Sequence, residues 1–208
     1  MKQLDPANRV LLLAIARCSI GAAVSKGLLF EPDDDTLTPP VREPAATFVT
    51  LHEQGELRGC IGLMRFDVPM WMNVRDAAPA AAIDDPRFLR VAPAELPSLE
   101  IEISVLEQPV PLSDPAGFEA GRHGIVVERG MRRGLLLPQV APEMGWGREQ
   151  MLDAVCHKAG LPGDAWRDSD TRLAVFESYC FSEAEVAGKG VAVSVAATVG
   201  RRVGARPS

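Results

Sequence analysis

From about residue 46 onward the chain is written twice, and that repetition constrains its fold more than any other feature. Adding 75 to Glu53, Gly55, Arg58 and Gly59 gives Glu128, Gly130, Arg133 and Gly134, so E-x-G-x-x-R-G occurs in both halves. The same shift carries Trp71 to Trp146 and Glu102 to Glu177. A β-rich run precedes each motif, T-F-V-T-L-H in one half and G-I-V-V in the other. Glycine in the left-handed region of a three- or four-residue loop is a hairpin signal, and Gly55 and Gly130 both fit it.

The elements that follow repeat as well. A helix is predicted over about 68–83 in the first half and about 148–159 in the second, where Met151, Leu152, Val155, Cys156 and Ala159 form one apolar face. Each half then closes in a strand, 99–106 with strict alternation and 172–181 with a less regular pattern. Hairpin, helix and strand, twice over, predict an α+β fold of two related lobes about a pseudo-dyad, with antiparallel sheets covered by helices. Pro79 falls inside the first of these helices, where a proline removes a hydrogen bond and predicts a kink.

Ahead of the repeats, Asp5-Pro6 and the apolar segment behind it predict a helix over 6–26, with Asp5 as N-cap and Pro6 at the first helical position. Leu11, Leu12, Ile15 and Cys18 recur at helical spacing and are expected in the core. The prolines and acids of 31–44 predict an irregular, solvated loop. The expected domain spans 1–186, with repeat one over about 46–107 and repeat two over about 121–183. Residues 187–208, rich in Gly, Ala and Val, read as a flexible tail. Within it the alternation of Val191, Val193 and Val195 also fits an added edge strand or an arm onto a partner subunit, as in a homo-oligomer.

A net charge of −6 and 5 % aromatic residues argue against a nucleic-acid-binding face. No uninterrupted apolar run nears the ~20 residues of a membrane helix; the longest, 10–15, soon meets Arg17, so no membrane span is expected. The N-terminus lacks the apolar core and cleavage site of an export signal, and the four cysteines are widely spaced without a C-x-x-C pair. These features point to a reduced chain in the cytoplasm. With no G-x-G-x-x-G, Walker A, G-x-S-x-G or paired His/Cys spacing, no cofactor and no metal are expected.

The richest chemistry lies in L-R-G-C-I-G, residues 57–62. Gly59 and Gly62 lack side chains and are expected to leave the space around the Cys60 sulfur open to a ligand. The repeat sharpens the reading, because Cys60 and Gly62 correspond to Leu135 and Leu137. A packing position in one half has a thiol in the other. Cys60 is therefore the candidate catalytic thiol, and such a thiol needs a stabilised thiolate or a nearby base. Arg58, two residues earlier on the same strand and so expected on the same face, is the candidate stabiliser. His123, in R-H-G-I-V-V, is the candidate general base. Gly59, Gly62 and Gln139, the last at an expected pocket rim, are candidate binding positions. A structural reading stands beside these. Free cysteine packs as a small hydrophobe, His52 and His157 read as surface and boundary residues, and Glu102 and Glu177 are each expected to pair with a hairpin arginine.

With L-R-G-C-I-G, the motifs D-D-P-R-F (84–88), E-L-P-S-L-E-I-E-I-S-V-L (95–106), H-G-I-V-V-E-R-G (123–130), R-R-G-L-L-L-P-Q-V (132–140) and G-L-P-x-x-A-W (160–166) make the chain resemble the AMMECR1 family over roughly 6–183. The resemblance implies a two-lobed α+β fold, and an activity centred on 57–62 without naming the reaction. It also implies kinship with the A components of the AmmeMemoRadiSam group, which accompany a Memo-like and a radical-SAM protein. Two functions follow. One is an enzyme or enzyme component in which Cys60, with Arg58 and His123 nearby, acts on a small molecule or a modified macromolecule beside those partners. The other is a non-catalytic binding or scaffold module that uses the inter-lobe cleft.

Overall fold

Asp5 opens the first helix, α1 (Pro6–Lys26), by accepting the Asn8 N–H at 2.9 Å, and Gly27 closes it in the left-handed conformation. The computed structural model describes residues 4–188 and 202–205. After α1 come β1 (Leu28–Glu31), α2 (Pro39–Arg42), β2 (Ala46–Glu53), β3 (Glu56–Leu63), α3 (Met70–Ile83), β4 (Leu99–Leu106), β5 (Val110–Pro111), β6 (Gly124–Arg129) and β7 (Arg132–Leu136). Then follow α4 (Val140–Met144), α5 (Arg148–Lys158), β8 (Arg172–Phe176), β9 (Ser178–Ser182), α6 (Glu183–Gly188) and β10 (Arg202–Ala205). The chain divides into two compact units, Met1–Val105 with Tyr179–Ser208, and Leu106–Ser178.

In the first unit the sheet order is β3-β2-β4-β9, and α3 packs on α1, β2 and β3. In the second it is β7-β6-β8-β5, with α5 on β6 and β7. Both sheets thus run hairpin edge, hairpin inner strand, post-helix strand and one further strand. The fold is α+β, with an antiparallel hairpin forming one edge of each four-stranded sheet. Helix α3 comes close to its hairpin because of what it lacks. Ala77, Ala78, Ala81 and Ala82 are buried on it, and Gly59 faces it from β3. A Cβ at Gly59 would lie 2.1 Å from the Ala81 carbonyl oxygen, so only glycine fits. Gly134 meets the Val155 carbonyl of α5 in the same way, at 2.6 Å.

Local readings are corrected at several points. Both hairpin loops have two residues, not three or four: Gln54-Gly55, with both φ positive as a type I′ turn requires, and Gly130-Met131. Arg58 is an extra residue in β3, since Leu51 faces Gly59 while His52 faces Leu57. The 75-residue offset therefore fits the second hairpin strands, Gly59 with Gly134, but is one residue out on the first, where Leu51 matches Val127. The strand expected over 172–181 breaks at Glu177; β8 joins the second sheet and β9 the first. Within 31–44, prolines at helix-start positions nucleate α2, and Asp34–Thr36 form a 3-10 turn, so that segment is not irregular throughout. Pro79 is buried inside α3, which continues past it to Ile83. In the tail, Arg202–Ala205 pair with β1, and Val191, Val193 and Val195 lie outside the described residues.

One correction concerns membranes. By length and composition α1 is long and apolar enough to cross one, because such a window tolerates isolated charges that an uninterrupted run does not. Here it is the core helix of the first unit, with Leu11 through Ala16 and Ile20 buried, while Cys18 packs at the edge of that core. Its Arg17 is neutralised within the unit. The guanidinium donates to the Leu96 carbonyl at 2.8 Å, the Leu99 carbonyl at 2.6 Å and Glu183 Oε1 at 3.1 Å. Glu183 also accepts the Ile101 N–H at 3.0 Å, tying α1, β4 and the start of α6 together.

Removing Arg17 would strand a largely buried carboxylate and two carbonyls. Arg17→Ala is expected to cost about 3 kcal/mol in urea-induced unfolding, within the range for a broken buried pair; a loss under about 1 kcal/mol would show that the network is solvated like a surface pair. Gly59→Ala is expected to cost about 3 kcal/mol by the same measurement, because strand and helix backbones have to separate.

Candidate functional site

Cys60 sits in the middle of β3, the edge strand of the first sheet, opposite Thr50 of β2. The Thr50 hydroxyl donates to its sulfur at 3.4 Å. The Cys60 N–H and C=O are bonded on the other side of the strand, away from β2. Asp85 Oδ2 accepts the N–H at 2.9 Å, and Arg87 Nη2 donates to the carbonyl at 3.2 Å. Two side chains from the loop after α3 thus take the place of a neighbouring strand.

That loop is built from D-D-P-R-F. Asp85 makes a short Asx turn by accepting the Arg87 N–H on Oδ1 at 3.1 Å, and Pro86 between them fixes the bend. The Arg87 guanidinium returns to the same carboxylate, Nε to Oδ1 at 3.0 Å and Nη2 to Oδ2 at 2.7 Å. Asp85 is buried, with its side chain 2 % exposed, whereas that of Arg87 is 55 % exposed. The Arg87 hydrogen bonds hold the Asp85 carboxyl below the usual carboxylate range; burial opposes the shift, and the N–H groups of Cys60 and Arg87 reinforce it. Arg87 is correspondingly raised, first by its bond to Asp85 and further by the Cys60 thiol beside it. The cation at the thiol is Arg87.

Arg58 is engaged elsewhere. It donates to Glu95 Oε1 at 2.8 Å and to the Leu89 carbonyl at 2.7 Å. Arg58 is the extra residue of the bulge, where strict alternation is interrupted, so the argument that places it on the face of Cys60 does not apply. The glycines do not leave vacant space either. The room at Gly59 is taken by the Ala81 carbonyl, and that at Gly62 by the ring of Phe48, 2.3 Å from where a Cβ would stand. Phe48 is the residue directly opposite Gly62, so the aromatic covers a cross-strand glycine. In the second sheet Phe176 covers Gly124 in the same way.

His123 belongs to the second unit, just before β6. Its Nδ1 accepts the Glu119 N–H at 3.1 Å, its own N–H donates to the Glu119 carbonyl at 2.9 Å, and its ring lies beside Phe118. Gln139 precedes α4 and accepts the Glu143 N–H on its main-chain carbonyl. It does not line the depression of about 620 Å³ in that unit, which is formed by Asp114, Arg148, Gln150, Trp166 and their neighbours. There the polar groups are already spent: Asp114 on Ala116, Arg148 on Phe118, Gln150 on Gly147 and Trp166 on Asp153. The expected ion pairs are also redistributed, since Arg133 pairs with Glu128 and Glu177 with Arg122.

The model of the AMMECR1 family matches residues 13–181. A protein of Thermococcus gammatolerans is 42 % identical over 185 residues, spanning 83 % of this chain and 88 % of its own length. One from Methanothermobacter thermautotrophicus is 44 % identical over 180 residues, spanning 83 % and 92 %. The crystal structure of the uncharacterized protein PH0010 from Pyrococcus horikoshii, 38 % identical, matches with a TM-score of 0.79 over 85 % of this chain and 91 % of that one.

The Asp85 carboxylate gives a signed pH dependence. Because its folded value lies below that of a free aspartate, its contribution is present above pH ~4 and is lost as the pH falls further. Asp85→Asn is expected to destabilise by about 2 kcal/mol at neutral pH. The gap to wild type should shrink as urea unfolding is repeated below pH ~4; a gap that stays constant to low pH would place the effect in shape and not charge.

Proposed function

The chain belongs to the AMMECR1 family, and from that premise we propose that its active group is the Cys60 thiol, working on a small-molecule or protein substrate alongside Memo-like and radical-SAM proteins. The observation that carries the reading is the polar setting of one sulfur. Cys60 is half-buried, receives the Thr50 hydroxyl and lies beside the Arg87 cation. A hydroxyl donor and a guanidinium both favour thiolate over thiol, and the thiolate is the nucleophile.

Burial sets Cys156 and Cys180 apart. Cys156 is buried among apolar side chains of the second unit, and desolvation, the largest cause, raises its thiol. Cys180 is touched by solvent, yet its thiol is pushed up to about 12, first by desolvation and then by the neighbouring Glu102. Cys18 packs against the core of the first unit. Four cysteines in one chain thus provide their own comparison.

A binding role has one observation in its favour. Leu57 and Leu89 are exposed on the first unit at 41 % and 87 %, and Arg58 adjoins both, next to Leu57 in sequence and bonded to the Leu89 carbonyl. A module that docks through these side chains would keep its partner after Cys60→Ser.

Iodoacetamide labelling of the folded protein near pH 7.5, read peptide by peptide by mass spectrometry, separates the two. Cys60 is expected to react about tenfold faster than Cys18, Cys156 or Cys180, because its sulfur is half-buried beside a hydroxyl and a cation whereas burial raises the thiols of Cys156 and Cys180. Labelling of Cys60 no faster than the others would overturn the thiol reading.

A further inference from the structure

We infer that Asp85 and Arg87 form the positioning pair of the Cys60 site, Arg87 as the cation that stabilises the thiolate and Asp85 as the buried anchor that fixes Arg87 and the Cys60 peptide together. The inference deepens the thiol reading and rests on it. Its basis is geometric. One carboxylate takes the Cys60 N–H on Oδ2 and two bonds from the Arg87 guanidinium, while that guanidinium takes the Cys60 carbonyl. Both peptide groups of Cys60 are therefore tied to one ion pair, and the Thr50 hydroxyl reaches the sulfur from β2. The groups bonded to Cys60 are thus Thr50 of the neighbouring strand, at the sulfur, and Asp85 with Arg87 of the loop after α3, at its peptide N–H and carbonyl.

Position matters here more than net charge. Asp85 and Arg87 together are neutral, so viewed from afar they do nothing for a thiolate. Close up they are unequal, because the carboxylate is turned to the Cys60 N–H and buried, whereas the guanidinium reaches past it to the cysteine carbonyl and the solvent side. Coulombic attraction falls with distance, so what the pair does at the sulfur depends on its being held in this order. A long arginine side chain free in solvent would not stay there without an anchor.

That ordering gives a test in which positioning and simple electrostatics predict opposite signs. The rate of iodoacetamide labelling at Cys60 is followed from pH 5.5 to 9.5 in the full-length wild type, Arg87→Gln, Arg87→Lys and Asp85→Asn, with circular-dichroism melts to confirm folding. Arg87→Gln is expected to slow labelling at pH 7 about tenfold and to carry the profile to the alkaline side, and Arg87→Lys to recover part of the loss. Asp85→Asn keeps the size and an acceptor for the Cys60 N–H but releases Arg87, so it is expected to slow labelling in the same direction. If Asp85 acted only as a negative charge, Asp85→Asn would speed labelling, and that result overturns its positioning role. A profile unmoved by Arg87→Gln overturns the role of Arg87. Neither outcome touches the thiol reading, which fails only if wild-type Cys60 does not label ahead of the other three cysteines.

Discussion

Everything about the candidate site depends on how closely one helix can lie on one hairpin. With Gly59 opposite the Ala81 carbonyl and four buried alanines along α3, no side chain separates the helix backbone from β3. The helix C-terminus is thereby delivered to the outer edge of the sheet, and Val91 bonds back to the Ala82 carbonyl at 2.8 Å to hold the following loop there. Only then can Asp85 meet a peptide N–H 25 residues earlier in the chain. A larger side chain at Gly59 would act at the site through this geometry, although it touches neither the sulfur nor the ion pair.

The parts of the fold that were legible in the sequence are those governed by local chemistry. Asp5, Pro6 and Gly27 bound α1 because capping needs only the residues within one turn. Alternation fixed the limits of β4, and the apolar face of α5 follows helical spacing. What was not legible depends on partners. The bulge at Arg58 exists only relative to β2, and the split at Glu177 only because β8 and β9 pair in different sheets. The apparent one-number offset between the halves hides that bulge, since the inserted Arg58 changes the structural offset by one residue between the two strands of the hairpin.

Around Cys60, the candidate thiol, the sequence misjudged the surroundings. Cys60 stood out by contrast with Leu135, a comparison available without coordinates. Its cation was sought two residues away, on a rule of alternation that one extra residue cancels. The true neighbours lie in D-D-P-R-F, where Asp-Pro after a helix signals a turn but not what the turn will face. The glycines misled for a related reason. A missing side chain leaves room, but packing fills it, here with a carbonyl and the Phe48 ring.

The pairing of Asp85 with Arg87 is more than a sheet edge requires. An edge strand exposes unpaired N–H and C=O groups, and blunting it at Cys60 takes one acceptor and one donor. A neutral amide could supply both. Instead the position carries a carboxylate that is buried and ionised, which costs desolvation even with good partners. Protection of the edge leaves that expense unexplained, because it is served equally well by uncharged groups. What the ionic version adds is a guanidinium whose place relative to the sulfur is fixed by its counter-ion. On the proposed thiol role the charge is read from the sulfur outward, with the closed sheet edge as a consequence of the same four hydrogen bonds.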